Sequence, residues 1–293
     1  MTFGDVPVAV SVGGILAHSV PTPQGRLRKG RVLTQADAAQ LAQAGLTHVT
    51  VARLGPMDVH EDAAALRVAQ ALVPHPASVG LRLGAASTGR VNIHATGPGV
   101  LALEAAVIHA VNAPDPMLTV ATVPPWQRVT DGMMVATVKI ISYGVRAAHL
   151  DLACRAAAVA VQGALRCCPP VHRRVTLIET TVGHAPLGDK GARVTAERLT
   201  RLGAALVDHV HVPHDTSAVA QAIGAAQATS DMILILTASA TSDPLDTAPQ
   251  AVRAAGGHVT HFGMPVDPGN LLFFGQIGAH PVIGLPGCAR APA

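Results

Sequence analysis

"DMILILTA", residues 231–238, decides how the second half of this chain folds. The run is apolar throughout and bounded by polar residues, the pattern of a strand covered on both faces. The segments around it agree. "VTLIETT" alternates like a strand and precedes a helix from about Lys190 to Leu202, which stops at Gly203. Strand "ALVDHVHV" follows, then a helix opened by "HDTSAVAQAIGAA", in which Asp215 or Thr216 can cap. After "DMILIL" come a loop, a helix "PQAVRAAGG" ending on glycines, strand "HVTHF", and two short strands around "LLFFGQI" and "HPVIGL". Strand and helix alternating at these lengths predict a three-layer α/β/α unit with a mostly parallel sheet.

That unit is expected to span 171–293. The boundary is "RCCPPVHRR", residues 166–174, because Pro169 and Pro170 cannot continue a helix. Residues 1–168 read as a mixed α+β domain. "GRVLTQADAAQLAQAGLTHVTVARL" gives a turn, a capped helix, a glycine stop and a strand. "HEDAAALRVAQAL" is a helix whose Glu61 and Asp62 suit its N-terminal end, the simplest reading of both acids. Short strands "SVGLRLGA", "RVNIHAT" and "MMVATVKIIS" and a helix "EAAVIHAVN" follow, and the alanine-rich "VRAAHLDLACRAAAVAVQGAL" predicts a closing helix.

The chain has 293 residues, a formal charge of +3 and only 2% aromatic residues, so its core is built from small and β-branched side chains. No dense basic block or aromatic ladder is present, which argues against nucleic-acid binding. No apolar run reaches a clean membrane span, and no basic-then-apolar leader opens the sequence, so a cytoplasmic protein is expected. Cys154, Cys167, Cys168 and Cys288 lack zinc-ribbon or CxxC spacing and read as reduced, mostly buried thiols.

Ligands of open parallel sheets bind at the carboxyl ends of strands. The loop after "DMILIL", residues 237–249, offers hydroxyls at Thr237, Ser239, Thr241 and Ser242, a small Ala238, and carboxylates Asp243 and Asp246. The hydroxyls and backbone N–H groups suit a phosphate or a heterocycle edge. Asp243 and Asp246 could hold Mg²⁺ through oxygen, although turns and N-caps use the same residue types. Two Pro-Gly turns follow other strands, "VDPGN" with Pro268, Gly269 and Asn270, and "LPGCA" with Pro286, Gly287 and Cys288. If all three loops share one edge they form a cleft. His209 and His211 share a strand face but lack a third ligand nearby in sequence, whereas His258 and His261 point to opposite faces. Lys29 and Lys139 could meet phosphates or simply be solvated surface.

In this order, "TASATSDPLD", "HFGMPVDPGN" and "PVIGLPGCA" make residues 171–293 similar to the molybdopterin-binding domain of the MoeA and MogA/gephyrin families. Upstream, "KGRVLTQADAAQLAQAGLTHVTV" resembles the N-terminal part of MoeA-like proteins sometimes fused to nucleotidyltransferases. The resemblance implies molybdopterin, or its adenylated form, as ligand. It also implies Mg²⁺-assisted insertion of molybdate, with Asp246 and Asp215 catalytic and Asp243 and Asp246 on the metal. The other reading is a non-catalytic carrier serving a nucleotidyltransferase or a molybdoenzyme, and either form is expected to self-associate. The sequence departs from the family pattern in several places. Ala238-Ser239 replaces a glycine pair, "ETTVGHAPL" lacks a glutamate that Glu179 cannot simply replace, "PGCA" stands for "PGNP", and a further terminal helix is lacking. A thiol at Cys288 could be reactive beside a dithiolene or buried and inert.

Overall fold

The chain divides into two units, Met1–Pro169 and Pro170–Ala293. The computed structural model describes residues 1–160, 163–183 and 188–291. In the first unit, strands Thr2–Pro7, His48–Arg53 and Ile15–Leu16 form a small antiparallel sheet. Helix Gln35–Gln43 lies beside it in sequence, and its start is fixed by a reciprocal capping box between Thr34 and Asp37. A second sheet orders Leu118–Thr122, Met134–Ile140, Arg90–Ala95 and Leu81–Leu83. Helix Glu61–Leu72 packs against it through Ala64, Ala65, Val68 and Leu72.

One expectation fails here. The alanine-rich helix spans only Ala147–Ala158, and Leu165–Cys168 forms a strand antiparallel to Gly99–Leu103. Gly163, five residues past the end of the helix and just before the strand, has a left-handed φ of +90°, and a Cβ there would stand 3.0 Å from the Leu72 carbonyl. The unit therefore ends in a strand rather than a helix. Residues 161–162 of the expected helix lie outside the described residues.

The second unit holds six strands and three helices among its described residues. They are β1 (Arg174–Thr181), α1 (Lys190–Arg201), β2 (Ala205–Pro213), α2 (Thr216–Ala226), β3 (Met232–Leu236), α3 (Thr247–Ala254), β4 (His258–Phe262), β5 (Phe273–Ile277) and β6 (His280–Leu285). A single 3₁₀ turn, Gly287–Arg290, follows. The sheet order is β2-β1-β3-β6-β5-β4. β1 runs parallel to β2 and β3, and β3 runs parallel to β6. β5 is antiparallel to both β6 and β4, so β4 shares the direction of the other four. The sheet is mixed, with one reversed strand.

Alternate residues of β3 enter two separate buried clusters. Ile233 and Ile235 join Val219 and Ile223 of α2 and Ala251 and Val252 of α3. Leu234 and Leu236 join Val175, Leu177 and Leu199, the last from α1. This is why the strand is apolar at every position. At the β5–β6 pair, Phe273 is fully buried opposite Gly284. A Cβ at Gly284 would overlap the Phe273 ring. At the opposite end of the unit, Asp231 accepts the backbone N–H groups of Arg173 and Arg174 at 2.9 and 3.0 Å and so ties the start of β3 to the start of β1.

Two outcomes are expected. Gly284→Ala overpacks the Phe273 site and costs about 1–3 kcal/mol, read as a lowered Tm in thermal denaturation. The two backbone N–H donors hold the Asp231 carboxyl below its ordinary range. Its stabilising effect is therefore complete above the usual carboxylate pKa and fades as pH falls through the depressed folded value. Asp231→Asn should flatten that acid limb in a pH series of denaturation midpoints, and an unchanged limb would refute the assignment.

Candidate functional site

Because β1, β2, β3, β4 and β6 point the same way, the segments leaving them all emerge on one edge of the sheet. That edge carries Asp215, the 237–249 loop, the "VDPGN" loop and the "LPGCA" turn. Hydrogen bonds join several of them around the end of β1. Ala238 N donates to Thr180 Oγ1 at 2.8 Å, and the same hydroxyl lies 3.0 Å from His214 Nδ1. Arg290 Nη2 donates to the Thr237 carbonyl at 3.1 Å and to Glu179 Oε1 at 3.2 Å. Arg198 of α1 holds the turn from behind, donating to the carbonyls of Ala289 and Ala291. The "VDPGN" loop closes on itself instead, through Met264 N to Asn270 O at 2.8 Å and Leu272 N to Gly269 O at 3.1 Å. It leaves β4, two strand spacings or about 10 Å from β6.

The individual residues divide by what they already do. Thr237 and Thr241 are buried, and their hydroxyls lie 3.3 Å apart, with Thr237 also donating to the Ser239 carbonyl. Both are engaged in shaping the loop. Ala238, Ser239, Ser242 and Asp243 are exposed along it. Asp246 is the N-cap of α3: Oδ1 accepts Thr247 N at 2.7 Å and Oδ2 accepts Ser242 N at 3.2 Å. Asp243 Oδ1 accepts Leu245 N at 2.7 Å. Asp215 is likewise the N-cap of α2, accepting Ala218 N at 3.0 Å. It borders a groove with Ala254 and Ala255, at the far end of α3 from Asp246. Among the described residues no hydrogen bond or ion pair joins Asp215 to Asp243 or Asp246.

Two helices at the rim thus begin under a carboxylate, which disfavours a phosphate there. α1 differs, since Asp189 makes no side-chain cap bond and Lys190 is exposed at its first turn. Residues 184–187 of "ETTVGHAPL" lie outside the described residues. Pro268 and Asn270 are exposed and Gly269, at φ +120°, is half-buried. Pro286 is half-buried, while Gly287 is exposed and a Cβ on it would meet nothing within 4 Å. Cys288 is exposed, so the expectation of mostly buried thiols fails at this position. The 3₁₀ turn lifts it off the sheet, whereas Cys167 sits on a paired strand and is buried, which pushes its thiol pKa up.

Sequence reasoning passed over Glu179. It lies on the same β1 face as Val175 and Leu177 and is 2% exposed. His209 Nε2 stands 3.1 Å and His211 Nε2 3.8 Å from its Oε2. The available signal was its phase: an acid at a core-facing position of an apolar strand requires partners. Those partners lie 30 and 111 residues away, out of reach of local pattern.

Residues 175–292 match the family model described as "Probable molybdopterin binding domain". The match supports a molybdopterin-binding family for this segment, which is less than half of the chain. Residues 5–53 match a separate family described as a domain of unknown function. No curated protein matches the chain. Among solved structures, the molybdopterin biosynthesis MoeA protein from Pyrococcus horikosii is 12% identical, with 98% of this chain and 70% of that one covered at a TM-score of 0.32. A molybdenum cofactor biosynthesis protein B is 17% identical over 41% of this chain and 85% of that one, TM-score 0.31. The protein CinA from Thermoplasma acidophilum is 16% identical over 40% and 90%, TM-score 0.29. Among the described residues no helix is long and apolar enough to cross a membrane.

In this unit, Thr180 ties the 237–249 loop to β1. Thr180→Val should leave the Ala238 N–H unpaired, cost about 1–3 kcal/mol, and loosen the loop. Amide hydrogen exchange at Ala238 would report it, and an unchanged rate would contradict the role given to the hydroxyl.

Proposed function

We propose that the strand-end rim binds molybdopterin, and that the chain acts in molybdenum-cofactor biosynthesis by holding or delivering the pterin to a nucleotidyltransferase or a molybdoenzyme. The three-layer reading of this unit and its place in a larger assembly go with that proposal. The observation that carries it is the gathering of small-residue loops from β3 and β6 on one edge, with open space before Gly287. Leu245 and Val266 stand exposed farther along the loops, while the side chains next to the ends of β3 and β6, Ala238, Ser239, Ala240 and Cys288, are short. A planar pterin can approach such a surface without displacing protein atoms. In this reading its phosphate is met by the uncapped start of α1 with Lys190 and by Arg290, the positive groups beside the rim.

The family's molybdate insertion, with Mg²⁺ on Asp243 and Asp246, is the second reading. Both oxygens of Asp246 serve backbone N–H groups, a use that favours the carrier. The test is titration of the full chain with molybdopterin followed by pterin fluorescence. Gly287→Val should leave stability within about 0.5 kcal/mol yet weaken binding at least about tenfold, about 1.4 kcal/mol. Asp246→Asn, which still caps a helix, should bind like the parent. Loss of Mg²⁺-dependent molybdate insertion in that variant would instead support the transferase. A parent chain that does not bind, or a Gly287→Val variant that binds equally, would end the pterin reading.

A further inference from the structure

Two imidazoles and a carboxylate converge on the α1 side of the sheet. His209 and His211 are two residues apart on β2 and so project from one face. The parallel register sets Glu179 of β1 directly beside His211. One ligand atom from each of the three lies within 4.8 Å of the others. The two rings meet edge to face, with centroids 4.3 Å apart. Donors about 2.0–2.1 Å from a tetrahedral zinc ion stand about 3.3 Å from one another. The separations from Glu179 Oε2, 3.1 Å to His209 and 3.8 Å to His211, straddle that value.

The carboxylate is also fixed in the manner such a site needs. Arg290 Nε and Nη2 contact Oε1, at 3.4 and 3.2 Å, and leave Oε2 to the histidines. Gly191 of α1 lets the helix pass close by, since a Cβ there would come 2.7 Å from Oε1. A second contact on the far oxygen orients the near one, as outer partners do at metal centres. We infer that Glu179, His209 and His211 form a binding site for a divalent first-row transition ion such as Zn²⁺, with its remaining position open to water or an anion. Imidazole nitrogen selects such ions over Mg²⁺ or Ca²⁺, which take oxygen. The site shares no ligand with the Asp243 and Asp246 loop, but Arg290, which orients Glu179, is also the group given to the pterin phosphate, so zinc binding is measured in the absence of pterin.

The experiment uses the full chain, freed of metal by chelation and dialysis, titrated with Zn²⁺ by calorimetry and with Co²⁺ by visible absorption. One Zn²⁺ per chain is expected, with ligand-field bands on Co²⁺ binding that Zn²⁺ abolishes. His211→Ala and Glu179→Gln should each weaken binding at least about tenfold, the lower limit seen even for outer partners. His258→Ala, on β4 at the opposite edge of the sheet, should bind like the parent. Should Glu179→Gln fail to fold, His211→Ala, at an exposed position, carries the comparison, with an unchanged circular dichroism spectrum as its control. No saturable binding, or equal affinity and stoichiometry in His211→Ala and the parent, would overturn the site and leave only the His209–Glu179 contact in its place.

Discussion

Strand β3 is hydrogen-bonded to β1 on one side and β6 on the other, and all three run in the same direction. Parallel pairing cannot be closed by a tight turn, so each return to the sheet needs a crossing segment over one of its faces. Residues on both sides of β3 enter buried clusters, which is why Met232–Leu236 carries no polar residue. The same pairing sends the segments leaving β1, β3 and β6 to one edge. Core composition and site location are two results of one backbone arrangement.

That arrangement was legible in the sequence because its signals are local. Met232–Leu236 announces a doubly covered strand, Asp215 sits where a helix cap belongs, and the helices of both units are marked by periodicity. The reversed β5 was less visible, since a five-residue strand reads alike in either direction. The "LRCC" strand was hidden by the alanines before it, which carry helical character past the end of the helix at Ala158. Glu179 was misjudged for a different reason. Its surroundings come from β2, α1 and the terminal 3₁₀ turn, and pattern within "RVTLIETTV" carries no record of them.

The rim also separates two uses of the same residue types. Asp215, Asp243 and Asp246 accept backbone N–H groups of turns and helix starts, and the Thr237 and Thr241 hydroxyls are paired within their loop. These groups keep the loops in shape. What remains turned outward next to the ends of β3 and β6 is a set of short side chains and backbone. Gly284 and Gly287, three residues apart, differ: the first is required by the Phe273 ring, and a Cβ on the second would meet nothing within 4 Å among the described residues.

The two margins of the sheet carry a separate consequence. β2 and β4 each have a single neighbour, so one row of backbone amides on each is left without a strand partner. Asp208 and His211 are exposed on β2, and His258 and His261 on β4, where a bulge between Val259 and His261 also bends the line of the strand. Hydrated side chains and a local bend at a margin both discourage a foreign strand from extending the sheet.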